Sequence, residues 1–94
     1  MTKSDIVNEI SERTGIEKQQ VLAVVEGMMK VIKSGLGERK SVYLRGFGTF
    51  YAKKRAEKIG RIITKKQQIV IPEHFIPAFK PAKSFMSKVK TAYN

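Results

Sequence analysis

The stretch from residue 17 to residue 36 constrains the fold more than any other part of the chain. Val21, Val25, Met28, Ile32 and Leu36 recur at steps of four, three, four and four, the spacing of one helical face. Leu22, Val24, Met29 and Val31 widen that face over most of the helix surface. Such a helix must be covered on several sides. The helical segment before it is short. It starts at Thr2-Lys3-Ser4-Asp5, close to a capping box, runs through Ile6, Val7 and Ile10, and stops at Thr14-Gly15, where Gly15 suits a left-handed residue. One short helix cannot cover a broad apolar one, so a partner chain is expected. Met28 and Met29 read as core fillers.

The size of the chain points the same way. Ninety-four residues make one small domain with a modest core, the kind that adds disulfides, a metal or a second subunit. There is no cysteine, which excludes disulfides and thiolate metal sites, and His74 is the sole histidine. No cofactor and no metal are expected, and oligomerisation remains. No apolar run approaches the roughly 18 residues of a membrane span. The first residues lack the apolar core of a secretory signal. These readings predict a cytoplasmic protein without a membrane partner.

Charge is divided unevenly. Residues 1–44 carry seven basic and six acidic residues, a net of +1. Residues 45–94 carry twelve basic residues against Glu57 and Glu73, a net of +10. The first half is a nearly neutral scaffold, and the second holds a field that attracts a polyanion.

Within that second half the pattern changes to strands. Gly35 and Gly37 are expected to close the second helix. Residues 41–45 read as a strand, and Gly46-Phe47-Gly48 as a tight turn with Phe47 pointing into a core. Thr49-Phe50-Tyr51 begins the next strand, Ile69-Val70-Ile71 returns, and Pro72 stops it. Residues 75–81 form an extended piece, and a last helix follows Pro81 with Phe85 and Val89 on one face.

Between these strands lies KKRAEKIGRIITKK, residues 53–66. Alternation puts Lys53, Arg55, Glu57 and Ile59 on one side of the outgoing strand, and Ala52, Lys54, Ala56 and Lys58 on the other. Neither side is apolar, and unpaired buried charge is costly, so the segment is expected to stand out as a ribbon. Ten residues at about 3.3 Å each reach about 30 Å, close to the roughly 34 Å of a duplex turn. Cations on such an arm replace condensed counterions of phosphate without reading sequence. Isoleucine is one of the apolar residues that ribbons push between base pairs. The competing reading is that Ile62 and Ile63 merely favour a strand.

RGFGTF (45–50), KKRAEKIGR (53–61) and IPAFKPAK (76–83) together resemble the bacterial HU and integration host factor family of DNA-bending proteins. The resemblance spans essentially the whole chain. It implies an α+β fold in an intertwined dimer: an N-terminal helix pair, a three-stranded antiparallel sheet with a protruding β-ribbon arm, and a short C-terminal helix. In this chain those parts would be residues 1–40, residues 41–80 with the arm at about 52–70, and residues 81–94. It places Phe47, Phe50 and Phe79 in a shared dimer core. It suggests DNA contacts by Lys53, Arg55, Lys58 and Arg61 in the arm, and by Lys3, Lys80 and Lys83 on the body; Arg45, Lys65 and Lys66 are further candidate DNA-binding residues of the basic half. The family's usual arm tip is Gly-Arg-Asn-Pro with an intercalating proline. Here the tip is Gly60-Arg61-Ile62-Ile63, which puts Ile63 at the wedge position and removes a polar residue that could touch base edges.

The function implied is a nucleoid-associated architectural protein. It would bind duplex DNA through the minor groove with little sequence preference, and bend or compact it. The partner is double-stranded DNA, and the assembly a homodimer or a heterodimer with a paralogue. A site-specific bender resembling an integration host factor subunit shares these features. An RNA-binding module fits less well, because the A-form minor groove is shallow and platforms for single strands are lacking apart from Tyr51. An enzyme fits least. Glu9 and Glu12 read as solvated helix positions, His74 has no evident Ser, Cys or Asp partner, and Gly46-Phe47-Gly48 lacks the lysine and helix of a phosphate loop.

Overall fold

A computed structural model describes residues 1–62 and 67–93, with residues 61, 62, 67 and 68 described by backbone only. The chain divides into two compact units, Met1–Ser34 and Gly35–Asn94.

The first unit is helical. Helix α1 spans Lys3–Thr14 and is capped by Thr2. The Thr2 hydroxyl accepts from the Asp5 N–H at 3.3 Å, and the Thr2 N–H donates to the Asp5 carboxylate at 2.8 Å. The box foreseen from the sequence is therefore complete. The bond from the Thr2 backbone N–H, and after it the Thr2 hydroxyl beside the carboxylate, hold the Asp5 carboxyl below its ordinary value. Gly15 ends α1 in the left-handed conformation, φ 76°, its N–H donating to Ser11 C=O. Helix α2 spans Lys18–Gly37. Val7 and Val21, 5% and 4% exposed, are the buried hydrophobic residues among those described. Val24 and Val31 stay about 70% exposed, and Met28 48%. The broad apolar stripe of α2 is real, and a single chain leaves much of it uncovered.

The end of α2 corrects one expectation. Gly35 lies inside the helix and Gly37 is its last residue. The left-handed residue is Arg39, φ 62°. Arg39 N–H donates to Leu36 C=O and Lys40 N–H to Gly35 C=O, the paired bonds of a Schellman motif. Propensity favours glycine at that position, but those two bonds hold an arginine there.

The second unit is built on strands β1 (Val42–Leu44), β2 (Gly48–Arg55), β3 (Lys58–Ile62), β4 (Gln67–Ile71) and β5 (His74–Pro81), followed by helix α3 (Lys83–Ala92). β1, β2 and β5 form an antiparallel sheet in that order, and β3 pairs with β4. Both pairings follow one register. Arg55 stands opposite His74, and three residues further out Lys58 stands opposite Ile71. The ribbon is thus a single hairpin, interrupted for two residues per strand at 56–57 and 72–73. Pro72 has no N–H to give the ladder at that point. Pro77 and Pro81 are tolerated because β5 is an edge strand.

The inner face of this sheet is aromatic. The Phe50 and Phe79 rings lie 4.7 Å apart, Phe47 and Phe79 5.2 Å, and Phe47 stacks on Phe85 of α3 at 5.3 Å. Gly48 makes the approach possible, since a Cβ there would lie 2.5 Å from the Lys80 carbonyl oxygen and 2.6 Å from Phe79 Cζ. Phe47 does not reach a closed core as the sequence suggested. It is 45% exposed.

The ribbon is also less uniformly polar than its outgoing strand implies. The return strand places Ile69 across from Gly60, where a Cβ would touch Ile69 Cγ1 at 3.4 Å, and Val70 pairs with Ile59. Both faces of the paired arm therefore carry some apolar surface.

Candidate nucleic-acid interface

Side chains alternate along a strand, and residues opposite one another in an antiparallel pair share a face. Phe50 and Phe79 fix the inner face of the sheet. The outer face then carries Tyr43, Thr49 and Lys80 in one row, followed by Tyr51 with Ala78, Lys53 with Ile76, and Arg55 with His74. Within β1, β2 and β5 there is no acidic residue. Lys53, Arg55, His74 and Lys80 are all exposed. The face is a cationic surface with aromatic residues at its inner end.

Arg45 belongs to a second patch. It sits in the turn between β1 and β2, which is tied to the start of α3. Ala82 N–H donates to Phe47 C=O at 2.8 Å, and Ser84 Oγ donates to Gly46 C=O at 3.4 Å. Helix α3 has no side-chain cap at Ala82 and no acid in its first turn, and Lys83 is its first residue. A cation at the positive end of a helix does not stabilise that helix. The same arrangement of free N–H groups and a lysine suits an anion.

The structure brings Lys53, Arg55 and Lys80 to one face, and places Arg45 and Lys83 at the neighbouring turn. Lys58 separates from that group: in β3 it shares the face of Gly60, opposite to Ile59. Arg61 stands opposite Gln68 in the register. Ile63, Lys65 and Lys66 lie outside the described residues. Lys3 belongs to the helical unit, where its Nζ lies 3.0 Å from Glu26 Oε1. Among the described residues Arg45, Lys53, Arg55, Lys58, Lys80 and Lys83 have no acidic partner. Glu9 is occupied by Arg13 at 2.7 Å, and His74 Nδ1 lies 2.9 Å from the Pro72 carbonyl oxygen, so neither joins a catalytic group.

Three features escaped the sequence reading. Tyr43 is on the cationic face and 74% exposed, a position that alternation in Val42-Tyr43-Leu44 could have disclosed. Phe85 completes the aromatic cluster, foreshadowed by its place on the apolar side of the last helix. Arg39 lies over the Phe75 ring at 5.4 Å, and no local pattern announces that contact.

Known proteins match this chain over nearly its whole length. The family model for bacterial DNA-binding proteins covers residues 1–90. The chain belongs to that family. Its members are structural DNA-binding proteins rather than enzymes. DNA-binding protein HU of Thermus thermophilus is 38% identical over 90 residues, 96% of this chain and 93% of the relative. DNA-binding protein HU of Thermotoga maritima is 31% identical over 90 residues, 96% of this chain and all of the relative. An HU–DNA cocrystal structure from Anabaena matches with a TM-score of 0.90 at 30% identity, covering 95% of this chain and 97% of that one. The family fold, α+β with a β-ribbon arm, is the one the sequence motifs implied.

Proposed function

We propose that this chain acts as a dimeric, nucleoid-associated architectural protein of the bacterial cytoplasm. It grips duplex DNA through the minor groove with little sequence preference, and bends or compacts it. The observation that carries this reading is the outer sheet face, where Lys53, Arg55 and Lys80 stand without an acid in the paired strands and lead into the arm. Arg45, Lys83 and Lys3 extend the phosphate contacts over the body. Lys58, Arg61, Lys65 and Lys66 follow the groove along the arm. Ile63 supplies the wedge between base pairs, and the bend it opens lets more protein surface reach the duplex. Phe47, Phe50 and Phe79 meet their counterparts in a second copy, which closes an aromatic cluster that one chain leaves half open.

The test is a binding series on unrelated duplexes of several lengths at several salt concentrations. Each phosphate neutralised lowers log K by about 0.9 per decade of salt, so six to ten contacts give a slope of roughly −5 to −9. Affinities on unrelated sequences should agree within a few-fold. A slope near zero would sink the reading. A preference of about 10³ or more for one sequence would favour a site-specific bender instead.

A further inference from the structure

The two acids of the basic half, Glu57 and Glu73, both fall at the interruption of the ribbon. By the shared register Glu57 stands opposite Pro72 and Glu73 opposite Ala56. Glu73 is not idle. Its Oε1 lies 3.0 Å from Lys54 Nζ, so an ion pair reaches from the last turn of paired sheet to the break at the root of the arm. Both side chains remain more than half exposed. Lys54 is on the sheet face opposite to Lys53 and Arg55, and Phe75, directly across from it, carries Arg39 over its ring.

We infer that Lys54 is a further phosphate-contacting residue, and that Glu73 holds it in reserve until DNA displaces the carboxylate. The inference rests on the duplex-binding reading above. A ribbon seated in a minor groove about 6 Å wide has a phosphate-lined wall on either side. A cation on the arm's other face therefore meets phosphate as readily as Lys53 or Arg55 does. The exchange runs toward DNA because an ion pair this exposed is weak, whereas phosphate binding releases condensed counterions. Glu73 thus lowers affinity by the strength of the pair it must give up, and it offsets the charge of Lys54 at the root of the arm when DNA is absent.

A double-mutant cycle tests this. Lys54→Ala, Glu73→Gln and the double variant are measured on one duplex across a salt series, with Lys53→Ala as a reference. Lys54→Ala should flatten the salt slope by about one phosphate, as Lys53→Ala does. Glu73→Gln should tighten binding about two- to five-fold at low salt and steepen the slope by only a fraction of one phosphate. The two effects should be non-additive by the same factor, and the coupling should shrink as salt rises. An unchanged slope in Lys54→Ala, or effects that simply multiply, overturns the inference while Lys53→Ala still weakens binding. If Lys53→Ala also leaves affinity and slope unchanged, the duplex-binding reading falls and this inference with it. A purely structural pair would shift thermal stability and leave the slope alone.

Discussion

The helical unit and the strand-built unit are incomplete in opposite ways. In the first, charge is nearly balanced, its surface ion pairs join Lys3 to Glu26 and Arg13 to Glu9, and what is left over is apolar surface on α2. In the second, Lys54 and Lys40 are paired while most cations among the described residues are not, and what is left over is positive charge, together with one open side of an aromatic cluster. Leftover apolar area and leftover charge call for different partners. Apolar surface is satisfied by another apolar surface of matching shape, which a second copy of the chain supplies. Charge arrayed along a ribbon is satisfied by a polyanion. The molecule's two interactions are therefore separable, and substitutions can break one without the other.

The largest effect is expected at the aromatic cluster. Phe47→Ala removes the ring that stacks on Phe85 and touches Phe79. If a second copy completes the burial, the loss is about 3–5 kcal/mol, and dimer and fold fail together. Denaturation at several protein concentrations measures it, since the parent's midpoint should rise with concentration. A loss within about 0.5 kcal/mol would mean the ring is a true surface residue, and would erase the contrast between the two kinds of leftover surface.

Next comes the wedge. Ile63→Ala keeps every arm charge, so grip and bend should part company. Binding to linear duplex at low salt should be nearly retained. The bend and the preference for nicked or gapped DNA should be largely lost, because unstacking costs a few kcal/mol per step. Energy transfer between labelled duplex ends reads the bend. A bend as sharp as the parent's would reduce Ile63 to a strand former.

A single cation should matter less. Arg55→Ala is expected to weaken binding uniformly on unrelated sequences and to flatten the salt slope by about one unit, with the midpoint of unfolding unchanged. A loss confined to one sequence would blur the division, because it would show the basic face reading bases.

The smallest effect lies in the helical unit. Thr2→Ala opens the capping box and should lower stability by about 1 kcal/mol without altering the salt slope of binding. Asp5 adds a pH signature. Its carboxyl is held below its ordinary value, so its contribution is fully present above about 3.8 and is lost as pH falls through the lowered folded value. The deficit of Asp5→Asn should therefore shrink in acid. A deficit that is flat with pH would remove the hydrogen bonds as its cause.

Much of this was legible in the chain itself, for a physical reason. Caps, helical stripes and charge partition depend on neighbours within a few residues. Thr2 and Asp5, the apolar steps along α2 and the basic half therefore spoke for themselves, and the Gly-Phe-Gly and Pro-Ala-Phe-Lys-Pro motifs named the family. The pairing of β2 with β5 joins residues about twenty to thirty apart, and alternation reveals parity within a strand but never its partner. Only the tertiary structure could decide that Arg55 meets His74, and that the ribbon breaks where Pro72 faces Glu57. The same pairing sets Lys58 apart from Lys53 and Arg55 and brings Glu73 back to Lys54. Likewise Arg39 took the left-handed place expected of a glycine because the bonds to Gly35 and Leu36 closed around it. Phe85 joined the aromatic cluster because the end of the sheet delivered α3 to Phe47.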